Sequence, residues 1–471
     1  MSDNRIHAFS DDLLADFDAV ALADMVRRGE VSPLELAEAA IARVEKVNGA
    51  LNAVQIADYD QARQHAASVE RGSGVFAGVP TFIKDNTDIA GMPTRHGSRA
   101  VPAIPALKHG AFAKQYLAQG FTLLGKTTLP EFGFNGTTEY EGNAPTRNPW
   151  HTDHSCGGSS GGSAALVAAG AVPIAHANDG GGSIRIPAAC CGLIGLKSTR
   201  GRFVTNEMSK TLPVNVVCDG VVTRSVRDTA HFFAGAEQYW QNRKLPQVGL
   251  VEGAGKKRLK VGLVMDSLTA QTCPETRVTV EQTVALLESL GHRVEIMPLP
   301  VKPSFVDDFS DYWGFLAFMA SRFGQHSFGK GFDAEQLDGL SKGLAERFRK
   351  RGWRLPLVLV RLQRTWQQYE KAMQNYDVVL SPVLAHVTPE IGYISPEVPF
   401  DELFERLMGY VSFTPMNNAS GSPAISLPMG QSEKGLPIAV QFSSAHGAER
   451  TLLELAFEIE QAKPWQRIVS V

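Results

Sequence analysis

Two glycine- and serine-rich loops hold the residues whose types and spacing best suit chemistry. The first is Gly157-Gly158-Ser159-Ser160-Gly161-Gly162-Ser163. The second is Asn178-Asp179-Gly180-Gly181-Gly182-Ser183-Ile184-Arg185-Ile186-Pro187. Ser159 and Ser183 stand 24 residues apart, with an apolar helical run between the loops. Glycine runs let a backbone approach a ligand closely. Consecutive N–H groups in such a loop can converge on the charge that develops in acyl transfer. A serine at the end of the loop is a candidate nucleophile, and it needs a base to take its proton. Other readings compete. A Gly/Ser run is often a flexible linker, but apolar segments flank both loops here. A phosphate nest lacks the lysine of a P-loop. A nucleophile elbow, G-x-S-x-G, fits frames centred on Ser159 and on Ser160, yet nothing around His292, His326, His386 or His446 marks the histidine of a triad.

With Ile184-Arg185-Ile186-Pro187-Ala188-Ala189 and Cys191-Gly192-Leu193-Ile194-Gly195-Leu196-Lys197, the paired loops resemble the amidase signature family. Further blocks in the same order are similar to it: Gly78 to Asp85, Leu124 to Phe132, Arg147-Asn148-Pro149-Trp150, Asn418 to Pro428 and Gly435 to Gln441. The resemblance covers most of the chain and fades between 300 and 410. The Asp-Gly-Gly-Gly-Ser loop and Thr199-Arg200-Gly201-Arg202 look closest to the branch containing a cyclic-dimer hydrolase of nylon oligomers.

The resemblance implies an amide hydrolase working through a Ser–Ser–Lys triad and a seryl acyl-enzyme, without metal or cofactor. By position Ser183 is the nucleophile, Ser159 the bridging serine and Lys84 the base. It implies that backbone N–H groups of Gly180, Gly181 and Gly182, with that of Ser183, hold the oxyanion. It also implies a cis peptide at Gly158–Ser159. Ser160 competes with Ser159 for the bridging role, and the spacing to Ser183 favours Ser159. The partner implied is a small-molecule amide substrate, with a homodimer as the family expectation. A rival with the same signature is the glutaminase subunit of an aminoacyl-tRNA amidotransferase; another is a non-catalytic scaffold on the same fold.

Physical chemistry supports Lys84 in that role. A lysine with the usual pKa of about 10.4 is charged at pH 7 and is no base. Burial disfavours the ammonium and lowers that value. Phe82 and Ile83 suit a buried site, and Asp85 on a strand should face the other way. Asp179 and Arg185 flank Ser183 and are expected to pair beneath the loop. Cys156, Cys190 and Cys191 read as small buried residues. The aromatic series Phe305, Phe309, Tyr312, Trp313, Phe315 and Phe318 reads first as core; as substrate-binding candidates it offers Tyr312 and Trp313.

The elements that must position these groups alternate between the 2- and 3.6-residue periods. Ser32-Pro33-Leu34-Glu35 predicts a capped helix start, with Asn48-Gly49 as its stop. Phe76 to Lys84 predicts a turn entering a buried strand, and Gly120 to Gly125 a strand after a helix from about Ala111. Leu259 to Val264, Pro274 to Leu290 and Arg293 to Met297 read as strand, helix and strand. Asp377 to Leu380 is a further strand. Ala424 to Pro428 and Ile438 to Phe442 pair around Glu433-Lys434-Gly435. The rhythm is α/β, and the resemblance implies a mixed central β-sheet sandwiched between layers of α-helices. One domain over 1–471 is expected, softest at 245–258, with 300–410 as a variable substrate-pocket region.

Composition narrows the function further. The chain has 471 residues, 44% hydrophobic and 20% charged, an ordinary globular mix able to bury a large core. Its 46 Lys+Arg against 49 Asp+Glu give a net charge of −3, which argues against a general nucleic-acid surface. The longest apolar stretch, Ala164 to Ala177, is too short and too interrupted to span a bilayer. No secretory leader pattern opens the sequence, so a cytoplasmic location is expected. Five cysteines without a CxxC fit free thiols, and the twelve histidines show no metal spacing.

Overall fold

A computed structural model describes residues 4–70 and 72–470. Its strands, in chain order, are β1 (Val54–Ala57), β2 (Pro80–Lys84), β3 (Thr122–Thr127), β4 (Arg147–Asn148), β5 (His151–Ser155), β6 (Ile174–Asp179) and β7 (Ile194–Lys197). They continue as β8 (Cys218–Thr223), β9 (Lys260–Leu263), β10 (Arg293–Ile296), β11 (Val378–Pro382), β12 (Ala424–Gln431) and β13 (Pro437–Ser444). Eight of them form one sheet in the order β10-β9-β11-β13-β12-β7-β8-β6. The first two neighbour pairings, β10 with β9 and β9 with β11, are parallel, and the others are antiparallel. Helices Arg185–Cys191, Pro274–Ser289 and Glu449–Ala462 pack against β12 and β13. The class is therefore α/β with a mixed sheet, as expected.

The expected hairpin is β12 with β13, closed by a turn in which Gly435 at φ +77° donates its N–H to Ser432 O at 2.8 Å. The helix at Pro33 opens with the anticipated capping box, Ser32 and Glu35 each bonding the other's backbone. It does not stop at Asn48-Gly49 but runs to Leu51. Leu51 is fully buried, so packing carries the helix past the glycine. Asn48 still serves the end, because its Oδ1 accepts from the N–H groups of Ala53 and Val54.

A smaller sheet, β1-β3-β2, brings in Lys84. Every residue of β2 is buried, as the sequence reading expected. Hydrogen bonds tie β2 to β6, the outer strand of the large sheet. Thr81 Oγ1 donates to Ile174 O at 2.9 Å, and the Lys84 N–H donates to His176 Nδ1 at 3.2 Å. The meeting of these two sheet edges positions the site. No helix among the described residues is long and apolar enough to cross a membrane.

Candidate active site

Lys84 ends β2 with no solvent exposure, although a lone lysine at a strand end is ordinarily a surface group. Its Nζ lies 2.7 Å from Ser159 Oγ, 3.0 Å from Ser160 Oγ and 2.8 Å from Asn178 Oδ1. Burial pulls its pKa down to about 7, against the opposing pull of the Asp179 and Asp219 carboxylates. Asp85 does face away: Lys126 Nζ donates to its Oδ1 at 3.1 Å, so its charge is engaged elsewhere.

Counting donors separates the two serines that the sequence leaves adjacent. A neutral lysine has two N–H protons and one lone pair. Asn178 Oδ1 only accepts, and takes one proton. Ser160 donates its own hydroxyl proton to Asn178 O at 3.2 Å, so toward Lys84 it acts as an acceptor and takes the second. A neutral amine with both protons so placed has its lone pair free for the Ser159 hydroxyl, 2.7 Å away. The Asn178 amide is oriented by a reciprocal pair with Asn86, at 3.0 Å and 3.2 Å. Asn178 thus has a role in the site that the sequence reading did not assign; the available signal was its place directly before the Asp179 loop.

Ser159 and Ser183 share the wall of a cavity of about 190 Å³. No hydrogen bond among the described residues joins the two hydroxyls. The Gly158–Ser159 peptide is cis, as the resemblance implied. Gly133 faces Ser159 from the other side: its φ is +70°, and a Cβ there would lie 2.9 Å from Ser159 Oγ. No histidine lines the cavity among the described residues, so the elbow reading has no base at hand.

The loop before Ser183 is shaped by one carboxylate. Asp179 Oδ1 accepts from the Gly182 N–H at 2.7 Å, and Oδ2 from the Ile184 N–H at 3.2 Å. Arg185 Nε and Nη2 donate to the same carboxylate at 2.9 Å and 3.0 Å, so the expected pair lies beneath the loop, fully buried. Burial alone would raise the Asp179 pKa; the Arg185 guanidinium instead holds it well below the usual carboxylate range. One expectation is corrected. The Gly182 N–H is committed to Asp179, and Gly182 does not line the cavity, whereas Gly180, Gly181 and Ser183 do. The loop is cinched inward at its third glycine.

A second correction concerns the aromatic series on the helix Ser304–Phe328. Its residues divide by face. Phe309, Tyr312 and Trp313 line the cavity, while Phe315 and Phe318 pack on Phe348. Tyr312 is only 1% exposed, and its hydroxyl donates to Val214 O at 2.6 Å, so it offers the substrate its ring. Leu407, Met408 and Val411 complete this apolar side. The sequence carried no motif for them, because they come from a different helix, Phe400–Tyr410, and its end. The three thiols near the loops, Cys156, Cys190 and Cys191, are buried, and burial raises their pKa values.

The chain is similar to known proteins along nearly its whole length. A family model for amidases matches residues 35–453. A Mycobacterium leprae (strain TN) protein named as an amidase is 50% identical over 465 residues, 98% of this chain and 99% of its own. The 6-aminohexanoate-cyclic-dimer hydrolase of Paenarthrobacter ureafaciens is 34% identical over 486 residues, 95% of each chain. A solved structure of 6-aminohexanoate cyclic dimer hydrolase complexed with substrate matches with a TM-score of 0.86 at 31% identity, over 96% of this chain and 98% of that one.

Proposed function

The chain belongs to the amidase family and is an enzyme acting on amide C–N bonds, and from that premise we propose a Ser–Ser–Lys mechanism through a Ser183 acyl-enzyme. The observation that carries the reading is the buried Lys84, its pKa lowered to about 7, with its Nζ 2.7 Å from Ser159 Oγ. Neutral Lys84 takes the Ser159 proton as Ser159 takes that of Ser183. Ser183 Oγ attacks the amide carbonyl, and N–H groups of Gly180, Gly181 and Ser183 receive the oxyanion. One such donor is typically worth about 3 kcal/mol. The proton returns through Ser159 to the leaving nitrogen, the C–N bond breaks, and an amine or ammonia departs. Water then attacks the ester carbonyl by the same relay, releasing a carboxylic acid and restoring Ser183.

The cavity wall favours a neutral, apolar small-molecule amide. Among the described residues it carries no Asp, Glu, Lys or Arg. Glutamine would bring a carboxylate and an ammonium with no counter-charge on that wall, which weighs against the amidotransferase reading. Residues 300–410 act as the selecting region within a single catalytic unit, supported by the cavity-lining Phe309, Tyr312, Trp313 and Met408.

The test is a hydrolysis panel of aliphatic amides, anilides, a cyclic diamide, glutamine and a matching ester. Wild type is compared with Ser183→Ala, Lys84→Ala and Trp313→Ala. Loss of all activity in the first two variants is expected, together with an altered acyl preference in the third. Activity surviving both Ser183→Ala and Lys84→Ala would overturn the mechanism.

A further inference from the structure

Next to the catalytic cavity lies a second chamber of about 50 Å³. The two have Phe309, Met408, Val411 and Pro415 in common, so one partition separates them. The far walls are apolar, with Val264, Leu268, Leu299, Val301 and Phe305, and among the described residues no charged side chain lines them. We propose that this chamber is a subsite for the tail of the substrate's acyl group, reached past Phe309 and Met408. The assignment rests on the Ser183 acyl-enzyme reading.

Three observations carry it. The first is the partition. Met408 is fixed through its backbone, where Thr269 Oγ1 donates to its carbonyl at 2.7 Å, so opening requires rotation of its flexible thioether side chain, whose Sδ accepts one weak hydrogen bond from Ser310 Oγ at 3.5 Å. Phe309 stands beside the Ser183 loop: a Cβ built on Gly181 would lie 3.8 Å from its ring. A chain attached at Ser183 would therefore meet Phe309 first. The second observation is chemical. The acyl part stays on the enzyme while the amine departs as a charged or hydrated species, so an uncharged apolar chamber suits the part that stays. The third is Ser412. Its hydroxyl is buried beside the chamber without a hydrogen-bond partner. Buried hydroxyls are normally satisfied, so this one is suited to a neutral polar group on the tail, such as a hydroxyl or a second amide.

The test is kcat/KM across anilides of unbranched acyl chains from two to twelve carbons, and across tails ending in methyl or in a primary amide. In the wild type each added methylene that enters the chamber is expected to raise kcat/KM about fourfold until it is full. Val301→Trp fills the chamber and should reduce the long-to-short ratio by about tenfold or more. Leu268→Trp, at a 38% exposed position, makes the same test if Val301→Trp does not fold. Met408→Ala should move the ratio the other way. Ser412→Ala should remove the preference for the amide-ended tail. A long-to-short ratio unchanged in the filled variants would overturn the subsite, and an unchanged end-group preference in Ser412→Ala would overturn the Ser412 assignment. Short-chain hydrolysis that survives Ser183→Ala would instead refute the mechanism, independently of either ratio.

Discussion

If Lys84 is the base, the rate should follow its neutral fraction. Its pKa sits at about 7 because burial removes the water that would stabilise the ammonium. At pH 7 roughly half of the molecules then hold a neutral lysine, whereas at the ordinary value roughly one in 3,000 would. That difference corresponds to about 5 kcal/mol in favour of the base form. The sign follows from the direction: the active form is the deprotonated one, so kcat/KM rises with pH and levels off above about pH 8. At pH 6 it should stand near one tenth of the plateau. The assay is kcat/KM between pH 5.5 and 10 on a non-titrating acyl anilide. Asp219→Asn supplies the perturbation. Asp219 is one of two carboxylates that hold the Lys84 pKa up, and it contacts His176 Nε2 at 3.4 Å, while Nδ1 of that ring receives the Lys84 N–H. Removing its charge should move the midpoint to lower pH and leave the plateau largely intact. A profile that keeps climbing tenfold per unit to pH 10 would refute a lysine poised by burial. A midpoint that Asp219→Asn leaves in place or moves upward would refute the electrostatic account.

Other consequences are more local. Gly133→Ala places a methyl 2.9 Å from Ser159 Oγ at a left-handed backbone position, so kcat/KM should fall by about tenfold to a hundredfold, with a stability loss of about 1 kcal/mol in urea unfolding. Arg185→Ala strands the buried Asp179 carboxylate; a loss of about 3–5 kcal/mol is expected from the urea midpoint, with activity lost as the Ser183 loop relaxes. Thiol labelling of the native enzyme at pH 8 should modify Cys273, the one partly exposed cysteine, well before Cys156, Cys190 and Cys191, whose thiols burial keeps protonated; mass spectrometry of the labelled peptides reads the order.

Much of this protein was determined by local sequence. The capping box at Ser32, the all-buried strand ending in Lys84, the hairpin around Gly435 and the two Gly/Ser loops are short-range features, set by turn chemistry, burial period and backbone freedom. They carried the family resemblance, which in turn implied the roles proposed for Lys84, Ser159 and Ser183. Tertiary structure decided what depends on groups far apart in the chain. It brought β2 against β6, so that Lys84 meets Asn178 and two serines at once. It placed Asn418 and Gln441, from far along the chain, against the Asp179–Arg185 pair that draws the Gly182 N–H inward. It also sorted the aromatic series at Phe305 to Phe318 into cavity wall and core. Helical spacing gives a face its periodicity, but what that face meets is chosen only when another helix packs against it.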